Sequence, residues 1–204
     1  MTLDKLRPVA NILLEPAVDI ADTVGLTPNL VSILAFGCAT IAGVAFGLGG
    51  DLQLWYIIGA AFVFLNGWLD LMDGALARKQ HVASARGDLL DHVLDRYADI
   101  VIVAGLTVGT GHWILGFAAV TGVVMTSYLG TQAIAVGFDR VYGGLLGRAD
   151  RLALIGVVGV AVVIYPDTIA GFDLIGWLLL VLAVIGHLTA MQRFIGAMRG
   201  MDSS

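Results

Sequence analysis

The chain has 204 residues, 58% of them hydrophobic, and a formal net charge of −5. A mean hydropathy of +0.91 is too apolar for a soluble domain and points to a membrane protein of one domain. Nine Arg and two Lys against sixteen acids leave no basic surface for a nucleic acid, and the single Cys38 excludes an internal disulfide.

Residues 2–22 place Leu3, Leu6, Ala10, Leu13 and Ala17 at helical spacing, with Asp4, Lys5, Arg7, Asn11 and Glu15 between them. Pro8 and Pro16 predict an interrupted segment, one or two short amphipathic helices on the membrane surface, with residues 1–25 as a juxtamembrane segment. No uninterrupted apolar core or A-x-A-like site marks a cleavable signal peptide there.

Residues 26–204 then read as six spans, all α-helical. Thr27 as N-cap and Pro28 at the first helical position open span one, roughly 29–49, and Gly43 and Gly47 form a small-xxx-small pair for close packing. Span two covers about 53–77 and span three about 88–108, where Asp88 is read as the cap. Span four covers 113–138, and a polar loop over 139–151 carries Arg140, Arg148, Asp150 and Arg151. Span five ends near 165, span six covers about 174–192, and a short polar tail begins at Arg193.

Six spans put every Lys and Arg on the side of the N-terminus: Lys5, Arg7, Arg78, Lys79, Arg86, Arg96, Arg140, Arg148, Arg151, Arg193 and Arg199. The opposite side has none of them and carries Asp51, Asp167 and Asp173. The positive-inside rule then predicts both termini, and the basic ends of the spans, in the cytoplasm.

The chemistry concentrates at residues 70–95. Asp70 and Asp73 share a helical face at i,i+3, and Asp91 and Asp95 share one at i,i+4. A turn between Arg78 and Gly87 would fold the two pairs together. Four carboxylates in one place repel unless positive charge sits between them, and hard divalent cations with oxygen ligands are the natural filler. Ionisable groups within apolar spans are costly and by default functional. Pairing with Arg78, Arg86 and Arg96 as a salt-bridge network is the alternative. His81 and His92 lie nearby, but a carboxylate site does not require them.

The run D-x-x-D-G-x-x-A-R, eight residues, then G-x-x-x-D-x-x-x-D resembles the signature of the CDP-alcohol phosphotransferase family. Asp70, Asp73, Gly74, Ala77, Arg78, Gly87, Asp91 and Asp95 match all eight defined positions. The resemblance implies a six-helix membrane enzyme, a homodimer, that passes a phosphatidyl-type group from a CDP-lipid to a polar alcohol and releases CMP. It implies that Asp70, Asp73, Asp91 and Asp95 hold Mg2+ or Mn2+, two ions in all, and that Asp95 is the general base. It implies that Asn29, Asp70, Asp73, Gly74, Ala77, Arg78 and Gly87 bind the CDP-lipid. Arg148 and Arg151 at i,i+3 resemble the arginine segment of members that accept inositol phosphate. Those members tend to carry a basic residue after the Ser-Tyr of span four, whereas here Ser127-Tyr128 is followed by Leu129, Gly130, Thr131 and Gln132. Inositol phosphate is the preferred acceptor, then glycerol 3-phosphate, then serine; anchoring of the loop at lipid headgroups is the other reading of the two arginines. An ion-coupled transporter is the rival class. It fits less well, because the acids cluster at the span ends and no internal repeat is present.

Overall fold

The computed structural model describes residues 7–137 and 145–202, with side chains from residue 13 to residue 201. Leu3, Asp4, Lys5, Leu6 and Arg140 lie outside the described residues. Among the described residues the chain is all α-helical: α1 (Arg7–Thr23), α2 (Pro28–Leu48), α3 (Leu54–Lys79), α4 (Ala85–Thr110), α5 (Trp113–Ala135), α6 (Arg148–Ile164) and α7 (Leu174–Asp202). A lone bridge pairs Ile169 with Phe172 in the turn before α7.

The expected break in the N-terminal segment does not occur. α1 is one helix with Pro16 inside it. Pro8 falls in the first turn, where backbone N–H groups have no intrahelical acceptor to lose. Tertiary packing holds α1 across Pro16. Leu14, Val18 and Ala21 are buried against Val31 of α2 and Met72 and Leu76 of α3. The packed stripe is thus Leu14–Val18–Ala21, with Ala17 of the expected stripe partly buried beside it, while Leu13, Ile20 and Val24 stay exposed. Lys79 Nζ lies 2.6 Å from Asp19, and the Gln80 amide donates to Asp22 at 2.9 Å, which ties α1 to the end of α3.

Helix ends follow local chemistry. The Thr27 hydroxyl accepts from Leu30 N–H at 3.3 Å with Pro28 behind it, as the sequence predicts. α4 starts three residues earlier than expected. Its cap is Ser84, whose hydroxyl accepts from Gly87 N–H at 3.2 Å, and Asp88 sits in the first turn instead. Gly111 closes α4 at φ +70°, a left-handed geometry suited to glycine. α6 starts at Arg148 rather than after Arg151, because the Asp150 carboxylate accepts from Gly147 N–H at 3.2 Å and caps the turn. α7 runs ten residues past the expected end, so Arg193 lies on a helix and not in a tail.

Among the described residues four helices are long and apolar enough to cross a membrane: α2, α3, α5 and α7. The expected six spans are therefore not all legible as spans. α4 has 26 residues but carries Asp88, Asp91, Asp95, Arg96 and Asp99 within its first fifteen. α6 has 17 residues, about 25 Å of helix against a hydrocarbon core of about 30 Å.

α2 packs on α3 and α4, α3 on α6, α4 on α5, and α5 on α7. The α2–α4 crossing is very close. A Cβ on Gly43 would lie 2.6 Å from the Val101 carbonyl oxygen, and one on Gly105 would collide with the Gly43 backbone. Ala42, Phe46, Val63, Ile102, Leu106, Leu179 and Leu182 are buried in the shared core. With no hydrophobic drive in lipid, such close contact is what holds helices together.

Candidate active site

The turn at residues 80–84 returns the chain from α3 into α4, and α2 packs against both. Asp73 and Asp91 each stand nine residues from Val82, and Asp70 and Asp95 stand twelve and thirteen residues from it. At a common rise of about 1.5 Å per residue, equal separations give equal height on the two helices. Carboxylate oxygens of Asp70, Asp91 and Asp95 accordingly lie within 4.8 Å of one another. All three side chains are half-buried.

Asp73 stands apart from that trio. It is 6% exposed, and Oδ2 accepts from the Ser32 hydroxyl at 2.6 Å. The Ser32 hydroxyl is also 3.2 Å from the Pro28 carbonyl, so the first turns of α2 are fastened to α3 beside the acids. Asn29, on the same turn, is exposed, and its Oδ1 would lie 3.5 Å from a Cβ on Gly87. Asn29 and Gly87 therefore meet across the α2–α4 entrance. Gly74 is half-buried with Arg78 Nη1 beside it, and Arg78 itself is exposed. Ala77 is half-buried one residue before Arg78.

Arginines form the other side of the site. Arg148 Nη1 lies 2.6 Å from Asp70 Oδ1 and Nη2 lies 2.8 Å from Asp95 Oδ1. Arg151, 3% exposed, donates to Asp99 Oδ2 at 2.9 Å. Arg96 lies 3.4 Å from Asp95 and 3.5 Å from Asp99. The ion pairs at the acids come from Arg96, Arg148 and Arg151, whereas the alternative reading from sequence named Arg78, Arg86 and Arg96; among the described ion pairs Arg78 and Arg86 have no part in the cluster.

A cavity of about 770 Å³ opens at this cluster. Asp70, Asp95, Arg148, Arg151 and Arg193 all line it, with Arg148 in contact with both acids. Ser127, Tyr128 and Thr131 of α5 complete it.

Two residues absent from the expected site belong to it. Asp99 is 5% exposed and is the acid on which Arg96, Arg148 and Arg151 converge. Its signal was the continuation of the Asp91–Asp95 stripe by one more turn. Arg193 donates to the Thr126 carbonyl at 2.7 Å and approaches Gly130 closely enough that a Cβ there would lie 2.8 Å from Nη1. Its signal was a charge at the end of an apolar span, which the assumption of a polar tail concealed.

The donor set fits a hard divalent cation. Three convergent carboxylates supply oxygen ligands and a charge that neutral partners would not balance. An all-helical membrane fold with carboxylates and arginines gathered at one cavity defines a metal-dependent enzyme for phosphate-bearing substrates.

Comparison with known proteins narrows that class. The family model described as CDP-alcohol phosphatidyltransferase matches residues 25–189. The archaetidylinositol phosphate synthase of Methanothermobacter thermautotrophicus is 32% identical over 95% of this chain and 92% of its own length. The crystal structure of the Mycobacterium tuberculosis phosphatidylinositol phosphate synthase with CDP-DAG bound superposes with a TM-score of 0.75, at 25% identity, covering 90% of this chain and 92% of that one. The same enzyme in complex with manganese and citrate gives 0.76 over 90% and 88%.

The chain belongs to the CDP-alcohol phosphatidyltransferase family. It is a membrane-bound CDP-alcohol phosphotransferase of phospholipid biosynthesis that depends on a divalent metal ion, in keeping with the manganese held by its structural relative.

Proposed function

We propose that the protein moves a phosphatidyl-type group from a CDP-lipid to a hydroxyl of inositol phosphate and releases CMP. The observation that carries this reading is the cavity itself, lined by Asp70 and Asp95 together with Arg148, Arg151 and Arg193. The acids suit the donor's pyrophosphate once a cation is present, and the guanidinium forks suit a phosphate on the acceptor. Hydroxyls of Ser127, Tyr128 and Thr131 on the same cavity suit a polyol. Names of the relatives agree: they are archaetidylinositol and phosphatidylinositol phosphate synthases. Glycerol 3-phosphate and then serine follow as acceptors.

Asp70, Asp73, Asp91 and Asp95 are assigned to Mg2+ or Mn2+, two ions in all. Asp70, Asp91 and Asp95 form the core of the set, and Asp73 stands behind them. When bound, the cations stabilise negative charge on the attacking and leaving oxygens. The protein's own residues do the rest. Asn29, Asp70, Asp73, Gly74, Ala77, Arg78 and Gly87 form the donor side, at the entrance between α2, α3 and α4. Asp95 accepts the proton of the acceptor hydroxyl. The hydroxyl oxygen bonds to the phosphorus that carries the lipid alcohol, the bridging pyrophosphate bond breaks, and CMP departs with the electron pair. Attack is direct: among the described residues no side chain is assigned as a covalent nucleophile.

The catalytic unit is residues 26–204, with residues 1–25 as its surface segment, working as a homodimer. α4 and α6 complete a six-span arrangement with α2, α3, α5 and α7. Both termini and the site face the cytoplasm of the cell membrane, which the one-sided distribution of Lys and Arg supports.

The test is a product assay. Purified protein in liposomes is given CDP-diacylglycerol or CDP-archaeol with each acceptor in turn, and the lipid product is identified by mass. Inositol phosphate should give the dominant product, chelation of divalent ions should abolish CMP release, and Mg2+ or Mn2+ should restore it. A dominant product with serine would overturn the acceptor assignment. Full activity in excess chelator would overturn the metal assignment. CMP release needs no ion gradient, which separates this reading from a transporter.

A further inference from the structure

Arg148 stands out because its fork is spent on the carboxylates. Its two terminal nitrogens lie 2.6 Å from Asp70 and 2.8 Å from Asp95, on two different helices. Nε, the third nitrogen, has no hydrogen-bond partner and lies 3.6 Å from Asp99 Oδ1. The geometry differs from that of Arg151, which is turned to Asp99. The first turn of α6 therefore places two arginines one turn apart with separate duties. Arg151 is fastened into the protein, and Arg148 bridges two of the three carboxylates that converge within 4.8 Å.

We propose that Arg148 is a resident counter-ion of the carboxylate centre, a positioning residue whose charge lowers the centre's affinity for its divalent cation. The proposal rests on the reading of Asp70, Asp91 and Asp95 as the cation's ligands. A fixed guanidinium within hydrogen-bond distance of two ligands offsets charge that a dication would otherwise meet, and it repels that dication directly. It also spans the α3–α4 gap, so Asp70 and Asp95 keep their mutual distance by a bond that does not depend on the cation. The centre then holds its ion only moderately tightly, and Arg148 lies within reach of both the ion and the phosphate-bearing acceptor.

The experiment measures Mn2+ binding without substrates, by calorimetry in a neutral detergent and by loss of the free Mn2+ paramagnetic signal. Arg148→Gln removes the charge and keeps one polar arm. It is expected to tighten Mn2+ by about tenfold, since unit charges a few Å apart interact appreciably even under water-like screening. Arg148→Lys keeps the charge but reaches one carboxylate at a time, and it is expected to tighten Mn2+ two- to threefold. Equal or weaker Mn2+ binding by Arg148→Gln would overturn the proposal, because it would make Arg148 chiefly an organiser of the ligands. Should Arg148→Gln fail to fold, Arg148→Lys decides alone, with tighter binding in support and equal or weaker binding against. Absence of Mn2+ binding by the unaltered protein would instead overturn the carboxylate-centre reading, and the inference with it.

Discussion

The Ser32 hydroxyl donates to Asp73 Oδ2 at 2.6 Å, joining the first turns of α2 to the middle of the aspartate motif on α3. Both side chains are buried. A carboxylate in that setting depends on the bond, since its alternatives are to lose its charge or to remain poorly solvated. Ser32→Ala is therefore expected to destabilise the protein by about 1.5–3 kcal/mol, the usual range for a hydrogen bond to a charged group. Ser32→Thr keeps the hydroxyl and should recover most of that loss. Denaturant titration in detergent, followed by helix content, checks both; equal stability of the Ala variant would mean that Asp73 is held by other groups.

Asp95 and Asp91 should separate chemistry from binding. Asp95→Asn retains one oxygen toward the cation but cannot take a proton. Donor affinity should change little, while kcat falls by about two to four orders of magnitude. Asp91→Asn and Asp70→Asn should weaken Mn2+ and donor binding together. Calorimetry with the donor, beside single-turnover rates, distinguishes the roles. Loss of donor binding in Asp95→Asn equal to that in Asp91→Asn would make Asp95 a ligand only. Because attack is direct, no stoichiometric burst of CMP should appear with donor alone.

Acceptor recognition should fall on the arginine wall. Arg151→Lys keeps a positive charge beside Asp99, so the buried acid is not stranded, but it loses the planar fork. Acceptor KM should rise about ten- to a hundredfold, the size of one lost charge-assisted bond, with donor KM nearly constant. Steady-state kinetics varying each substrate in turn checks this. An unchanged acceptor KM would assign Arg151 to holding Asp99 alone.

Close approach of α2 and α4 should be intolerant of any side chain at Gly105. A Cβ there meets the backbone of Gly43, which cannot move as a flexible side chain would. Gly105→Ala is expected to cost about 1–3 kcal/mol or more, as overpacking does, and to lower the yield of folded protein. Gly47→Ala is the control, because its Cβ would find ordinary contact at 3.6 Å from Val108. Similar stability of the two variants would show that the helices can separate at this crossing without penalty.

Much of this protein was legible in the chain itself. Hydropathy announced a helical membrane protein, Thr27-Pro28 announced the start of α2, and the spacing of Asp70, Asp73, Asp91 and Asp95 across a short turn announced where acids would gather. These are local features, fixed by the periodicity of a helix and the chemistry of its ends. What the sequence could not supply is which oxygens face one another. Asp73 and Asp70 are both motif positions, yet only packing of α2 against α3 turns Asp73 toward Ser32 and leaves Asp70 with Asp91 and Asp95. The unbroken α1 depends on its seat against Met72 and Leu76, which outweighs the local penalty of Pro16. Arg148, Arg151 and Arg193 are 50 to 100 residues or more from the aspartates in sequence, and no pattern of spacing relates them. Long-range pairing of charge in a poorly solvated interior brought them to one cavity, and that pairing exists only once α4, α5, α6 and α7 have packed.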